Sequence, residues 1–284
     1  MRELDAKKLE NNLRARAEED MLLGKIACCA VRVLQHGEIV ADLRFGVKDV
    51  RTGEPLPPHT LFRLASMTKP VTGVAALLAL EKGWFDLYDK VSKHIPGFEK
   101  IPVGRMENGV PVPDHKPHTE ALMWHLLTHT SGFSSEEPIG TYQRVHRPKS
   151  AYENNRAMLS HALAHDLLSF DPGEFVSYSG YLAFDAVACI IQEKSGMPYA
   201  DFIKKNIFEP LGIEDITYHP TDGQWARVVT MHDKTTFPTQ VAVDMGKTTF
   251  ENFPLSYTCA GAGLVGSVED YSVFAELLRR RGRI

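Results

Sequence analysis

The chain predicts a mixed α/β (α+β) fold, and three stretches carry the prediction. Apolar runs at 26–34 and 39–45 flank a His36-Gly37 turn, which reads as two strands of a hairpin. Residues 85–224 carry mostly helical apolar periodicity, and a glycine-bearing apolar run at 256–265 precedes a capped helix. At 284 residues, 43% of them hydrophobic, the chain can bury a substantial core.

Taken in order, Leu4, Leu9, Leu13, Ala17 and Met21 or Leu22 recur at near-helical spacing among charges. They predict an amphipathic helix over residues 3–22 that packs on a sheet, so 1–24 is read as an N-terminal helical segment. The strand pair follows, and Gly46 with Gly53-Glu-Pro-Leu-Pro-Pro58 closes the hairpin region. Thr60-Leu-Phe-Arg-Leu64 leads directly into Ser66, which heads the apolar run 70–80. Helical patterns recur at 122–127, 157–168 and 182–191. Between them, 106–117 and 134–150 are polar and bear Pro and Gly, so both are read as long connections of the kind that border binding sites. The run 256–265 reads as a strand with close-packed glycines, and Ser267 as the cap of a helix through Leu278. Residues 25–284 are thus read as one domain, with a sheet part at 25–84 and 225–284 and a mainly helical part at 85–224.

Composition excludes several classes. A balance of 32 Lys and Arg against 36 Asp and Glu, net charge -4, supplies no electrostatic footprint for nucleic acid or an anionic membrane. No apolar run approaches the length of a membrane span, so no membrane partner is expected. The first ten residues are charged and lack a leader-type apolar core, which predicts a cytoplasmic protein. Four cysteines without Cys-x-x-Cys spacing read as buried thiols. His115, His118, His125 and His129 invite a metal reading, but their spacing scatters them over a loop and a helix with no carboxylate among them in a ligand pattern. No metal and no cofactor are expected. The elbow Gly-x-Ser-x-Gly is absent from the chain, which removes the α/β-hydrolase alternative.

Chemistry is legible at Ser66-Met-Thr-Lys69. Residues three apart on a helix share a face, so a hydroxyl would sit beside an amine at a helix start. A lysine becomes a usable base when burial disfavours its charged form, and the following apolar run predicts such burial. Downstream, Pro172-Gly-Glu-Phe-Val-Ser-Tyr178-Ser179 sets a tyrosine beyond a turn and just before an apolar helix. A phenol near a lysine can shuttle a proton between nucleophile and leaving group.

These stretches, with Gly83-Trp-Phe-Asp-Leu-Tyr-Asp89, Leu126-Leu-Thr-His-Thr-Ser-Gly132, Ile207-Phe-Glu-Pro-Leu-Gly212 and Gly261-Ala-Gly-Leu-Val, occur in the order found in one family. The chain resembles the serine β-lactamase and penicillin-binding-protein superfamily, in its class C-related, family VIII esterase-like branch, over roughly residues 25–284. The resemblance implies an antiparallel sheet flanked by helices plus a helical subdomain, with a serine acyl-enzyme mechanism. Ser66 would be the nucleophile, with Lys69 and Tyr178 as base and proton relay. The Ser66 backbone N–H would supply one oxyanion donor, and Gly180 would stand on the substrate side. The family often carries Asn where this chain has Gly180, and the departure suits a small-molecule ester over a lactam or peptide. The family's Lys/His-Thr/Ser-Gly strand is expected downstream of Gly261-Ala-Gly263 and has no match: Arg51-Thr-Gly53, Lys247-Thr-Thr249 and His129-Thr-Ser-Gly132 each fail by position or composition. The expectation is therefore a C-terminally truncated chain whose sheet lacks its last strands and the C-terminal helix. A carboxylesterase on short acyl esters is expected first. A β-lactamase or D-Ala peptidase, and a non-catalytic fragment or binding module, are the alternatives.

Overall fold

The computed structural model describes residues 3–233 and 240–284. The fold is mixed α/β, with an antiparallel sheet flanked by helices and an additional helical part. Two compact units organise it: Met1–Arg63 with Phe208–Asn252 and Val265–Ile284, and Leu64–Ile207 with Phe253–Leu264.

In the first unit, strands Cys28–Gln35 and Glu38–Asp49 pair antiparallel, and Glu54–Pro55 adds a short third strand to the outer side of the second. His36 and Gly37 both take positive φ, 57° and 91°, the two-residue turn whose twist matches paired strands. Gly46 is required by space as well as by conformation: its φ is 79°, and a Cβ there would sit 2.1 Å from the Ala27 carbonyl oxygen. The expected N-terminal helix spans Ala6–Leu22, capped by Asp5, whose side chain accepts from the Lys8 N–H. Leu9, Leu13, Ala17 and Met21 pack on Ala41, Leu43 and Phe45 of the sheet. Met21 therefore fills the last position of the apolar stripe, and Leu22 is exposed. The Val268–Arg279 helix, capped by the Ser267 side chain, packs on Cys28–Gln35. A separate antiparallel pair joins Leu61–Arg63 to Val265–Ser267.

The second unit is mainly helical. Its central helix, Leu182–Ser195, packs against Thr68–Glu81, Asn155–His165 and Met123–Leu127. Small residues permit close approach: Ala75, Ala76 and Ala79 on one helix and Ala183, Ala186 and Ala188 on the other are fully buried or nearly so.

Three local expectations are corrected. The connection 106–117 falls largely in a hairpin, Val103–Glu107 paired with Val110–His115, turned at Asn108-Gly109 with both residues at positive φ. Asn-Gly is a strong hairpin signal, here masked by flanking prolines and polar residues. Within 134–150, Pro138–His146 is a helix with proline in its first turn, where a missing N–H costs nothing. Conversely, 256–264 is a chain of tight turns, and only Val265–Ser267 is strand. Side chains take the place of a partner strand there: Asp185 accepts the Ala260 N–H and Thr68 Oγ1 accepts the Leu264 N–H. Among the described residues no helix is long and apolar enough to cross a membrane.

Candidate active site

All of the residues singled out for chemistry fall in the second unit. Ser66 lies in a 3₁₀ turn, Ala65–Met67, that runs straight into the Thr68–Glu81 helix. Side chains three apart nearly eclipse in a 3₁₀ turn, and Lys69 Nζ lies 3.4 Å from Ser66 Oγ. Ala65, just before the serine, has φ 46°, a left-handed conformation that costs a residue with a Cβ roughly 1–2 kcal/mol. Ser66 is exposed, whereas Lys69 retains 8% of its surface. Tyr178 Oη donates to Ser66 Oγ at 2.5 Å, and Lys69 Nζ stands 4.7 Å from the centre of the Tyr178 ring. The nucleophile-type oxygen thus has an amine on one side and a phenol on the other.

Two backbone carbonyls hold the amine: Gly180 O and Gly261 O each accept from Lys69 Nζ at 2.9 Å. Two N–H groups so engaged leave the third valence of the nitrogen directed toward Ser66. Glycine is needed at 261, because a Cβ there would sit 2.3 Å from the Gly180 oxygen and 3.3 Å from Lys69 Nζ. Gly180 is buried, and its N–H donates to Ser135 Oγ at 2.8 Å. Ser135 in turn donates its own backbone N–H to the Tyr178 carbonyl.

Sequence reasoning missed the second layer. His129, two residues past the Met123–Leu127 helix, ties that end of the helix to the Tyr178 segment. Its Nδ1 accepts the Ser179 N–H at 3.1 Å, its carbonyl accepts the Ser177 N–H, and its ring lies against Tyr178 at 4.7 Å between centroids. Its φ is 61°. Burial, reinforced by the Lys69 charge, pushes its pKa below the ordinary histidine value, which keeps Nδ1 free to accept. Its signal in the sequence is its place in the Leu126-Leu-Thr-His-Thr-Ser-Gly132 motif, two residues past an apolar helix.

Behind Gly261 stands Asp185, fully buried. It accepts from Asn155 Nδ2 at 3.0 Å, from the Ala260 N–H at 2.9 Å and from Tyr257 Oη. Burial pushes its carboxyl up to about 6, against the lowering effect of those three donors. Desolvation also raises the Tyr257 phenol, so it remains a donor. Thr72 adds a further tie: its hydroxyl donates to the Ala260 carbonyl at 2.6 Å and accepts from Tyr199 Oη at 2.7 Å. The turn that presents Gly261 O to the amine is therefore pinned at both faces of residue 260.

The histidines divide. His125 is buried and accepts the Leu122 N–H through Nδ1, and His129 braces Tyr178. His115 and His118 instead meet a carboxylate, Asp171, that lies far from them in sequence.

The sequence profile described as Beta-lactamase matches residues 13–284. Esterase EstB of Burkholderia gladioli is 30% identical over 305 residues, a match covering 97% of this chain and 71% of that protein. An uncharacterized protein of Mycobacterium tuberculosis is 29% identical over 266 residues, covering 92% of this chain. The chain spans 64% of that relative's length. Among solved structures, EstCE1, described as a hydrolase with promiscuous acyltransferase activity, superposes with a TM-score of 0.79 over 98% of this chain and 74% of that one. At 24% identity, that likeness bears on the fold.

Proposed function

The chain belongs to the Beta-lactamase family, and on that premise we propose that it is a serine hydrolase forming an acyl-enzyme on Ser66 with small carboxylic esters. The observation that carries the reading is the meeting of Ser66 Oγ with Lys69 Nζ at 3.4 Å and Tyr178 Oη at 2.5 Å. Ser66 Oγ attacks the ester carbonyl as its proton passes to the lysine nitrogen, whose other two N–H bonds are already committed to Gly180 O and Gly261 O. Tyr178 gives its proton to the departing alkoxide and is reprotonated from Lys69. Alcohol leaves, and the acyl group remains on Ser66 until water, deprotonated along the same relay, releases the carboxylic acid. The Ser66 N–H, at the start of a helical turn, is the proposed donor to the developing oxyanion.

Esters are favoured over lactams for two reasons. Position 180 offers substrate no side-chain amide, and the lysine is held by main-chain carbonyls instead. Met67, Phe175 and Val176, the apolar neighbours of Ser66 and Tyr178 along the chain, are exposed and suit an acyl chain better than a polar peptide.

The test is turnover of p-nitrophenyl butyrate together with labelling by a fluorophosphonate. Both are expected in the native chain and neither in Ser66→Ala. Labelling that persists in Ser66→Ala would remove the serine from this role. Nitrocefin hydrolysed faster than the ester would move the substrate class to β-lactams. A folded native chain with neither labelling nor an ester burst would identify a binding module.

A further inference from the structure

One cluster of metal-type side chains lies outside the proposed acyl-transfer chemistry, where the Val110–His115 strand ends. His115 Nε2 and His118 Nδ1 approach the same oxygen, Asp171 Oδ2, at 2.9 and 3.0 Å. The three ligand-type atoms lie within 4.8 Å of one another. Supporting groups aim two of the three side chains. Asp171 Oδ1 accepts the His118 N–H at 2.6 Å, which turns the other carboxylate oxygen toward the imidazoles. His115 Nδ1 lies 2.8 Å from Asp114 Oδ2, the outer carboxylate that commonly sets tautomer and ring orientation in a histidine metal ligand. Thr119 Oγ1 donates to the Pro172 carbonyl at 2.7 Å, so the two loops that supply the ligands are tied beside the cluster.

From this arrangement we infer that His115, His118 and Asp171 form a binding site for a divalent transition-metal cation of the zinc type. Two imidazoles and one carboxylate are a donor set zinc accepts, and softer thiolate-seeking or purely oxygen-seeking ions fit it less well. Ligand bonds of about 2.0–2.1 Å in tetrahedral geometry place donor atoms about 3.3–3.4 Å apart. The observed separations from Asp171 Oδ2 are a few tenths shorter, so both imidazoles shift outward on binding, and both have room, the His118 side chain being 77% and that of His115 33% exposed. That exposure also leaves the fourth position to water. A bound ion would join the end of the hairpin to the Asp171-Pro172-Gly173 turn, upstream of Tyr178.

The experiment uses the full chain stripped with a chelator and titrated calorimetrically with zinc chloride. One zinc ion per chain is expected, and His118→Ala should weaken the affinity at least ~10-fold with an unchanged circular dichroism spectrum. Asp171→Asn retains an acceptor for the His118 N–H and should weaken zinc to a similar degree. Absence of zinc binding, or undiminished binding in both variants, overturns the site. Because zinc uptake is read without ester turnover, its outcome is separate from that of the hydrolase proposal.

Discussion

Asp185→Asn tests whether a charge is buried behind the lysine. The native carboxyl has no exposed surface and a pKa pushed from 3.8 up to about 6 by desolvation. The folded protein therefore retains a proton that the unfolded chain has already released. The contribution of this group to stability is fully present below about pH 3.8 and is lost as pH rises through about 6. At 1.36 kcal/mol per unit, the full effect is about 3 kcal/mol, and about 2 kcal/mol of it develops between about pH 4.5 and about pH 7.5. Asparagine removes the titration with little change of shape. Its oxygen can accept from Asn155 Nδ2 and the Ala260 N–H, and its amide can donate to a reoriented Tyr257 hydroxyl. Urea unfolding followed by tryptophan fluorescence, at both pH values and for both proteins, gives the difference in unfolding free energy between variant and native chain. That difference should rise by about 2 kcal/mol in favour of asparagine from the lower to the higher pH. A difference that stays flat within ~0.5 kcal/mol would refute a buried, high-pKa carboxyl at this position. Ester turnover should survive in Asp185→Asn. It should fall steeply in Asp185→Ala, which strands three donors at about 1–3 kcal/mol each and releases the Ala260-Gly261 turn.

Three further outcomes follow from the same geometry. Gly261→Ala places a Cβ 2.3 Å from the Gly180 oxygen, so one carbonyl must leave the lysine. kcat for p-nitrophenyl butyrate should drop about 100-fold, the scale of an ångström-sized misplacement, and an unchanged kcat would show that the two carbonyls do not position Lys69. His129→Ala orphans the Ser179 N–H, whereas His129→Asn offers an acceptor and tolerates φ 61° as histidine does. The alanine variant should lose roughly 10-fold in kcat, the cost of about one such hydrogen bond, and asparagine should recover most of it; equal losses would discount the acceptor. Because the folded pKa of His129 lies below 6.5, its contribution to stability is present above that value and lost as pH falls below it. An acid-side decline in urea midpoint should therefore be smaller in His129→Asn than in the native chain.

Much of this was legible in one dimension, and the failures have identifiable causes. The N-terminal helix is legible from apolar residues at near-helical spacing, the first hairpin from apolar runs on either side of His36-Gly37, and the helix after Ser66 from the apolar run 70–80. The hairpin at 103–115 is hidden in the sequence, because Pro111, Pro113 and the surrounding charges give an edge-type, solvent-facing ribbon the composition of a loop. The run 256–264 misled in the opposite sense. It is apolar because it is buried, and its donors are met by its own turn carbonyls, Asp185 and Thr68 in place of a neighbouring strand.

Spacing alone could set Ser66 beside Lys69, since three residues along a helical turn span one side-chain contact. The ordered motifs could name Tyr178 as their companion. The tertiary structure decided what surrounds them: Gly180 and Gly261, whose carbonyls both hold Lys69; His129, which braces the tyrosine; and Asp171, which joins His115 and His118. The difference is physical. Local periodicity is written in residue types a few positions apart. A main-chain carbonyl has no residue type to read, and a contact between residues 69 and 261 exists only once the chain between them has packed.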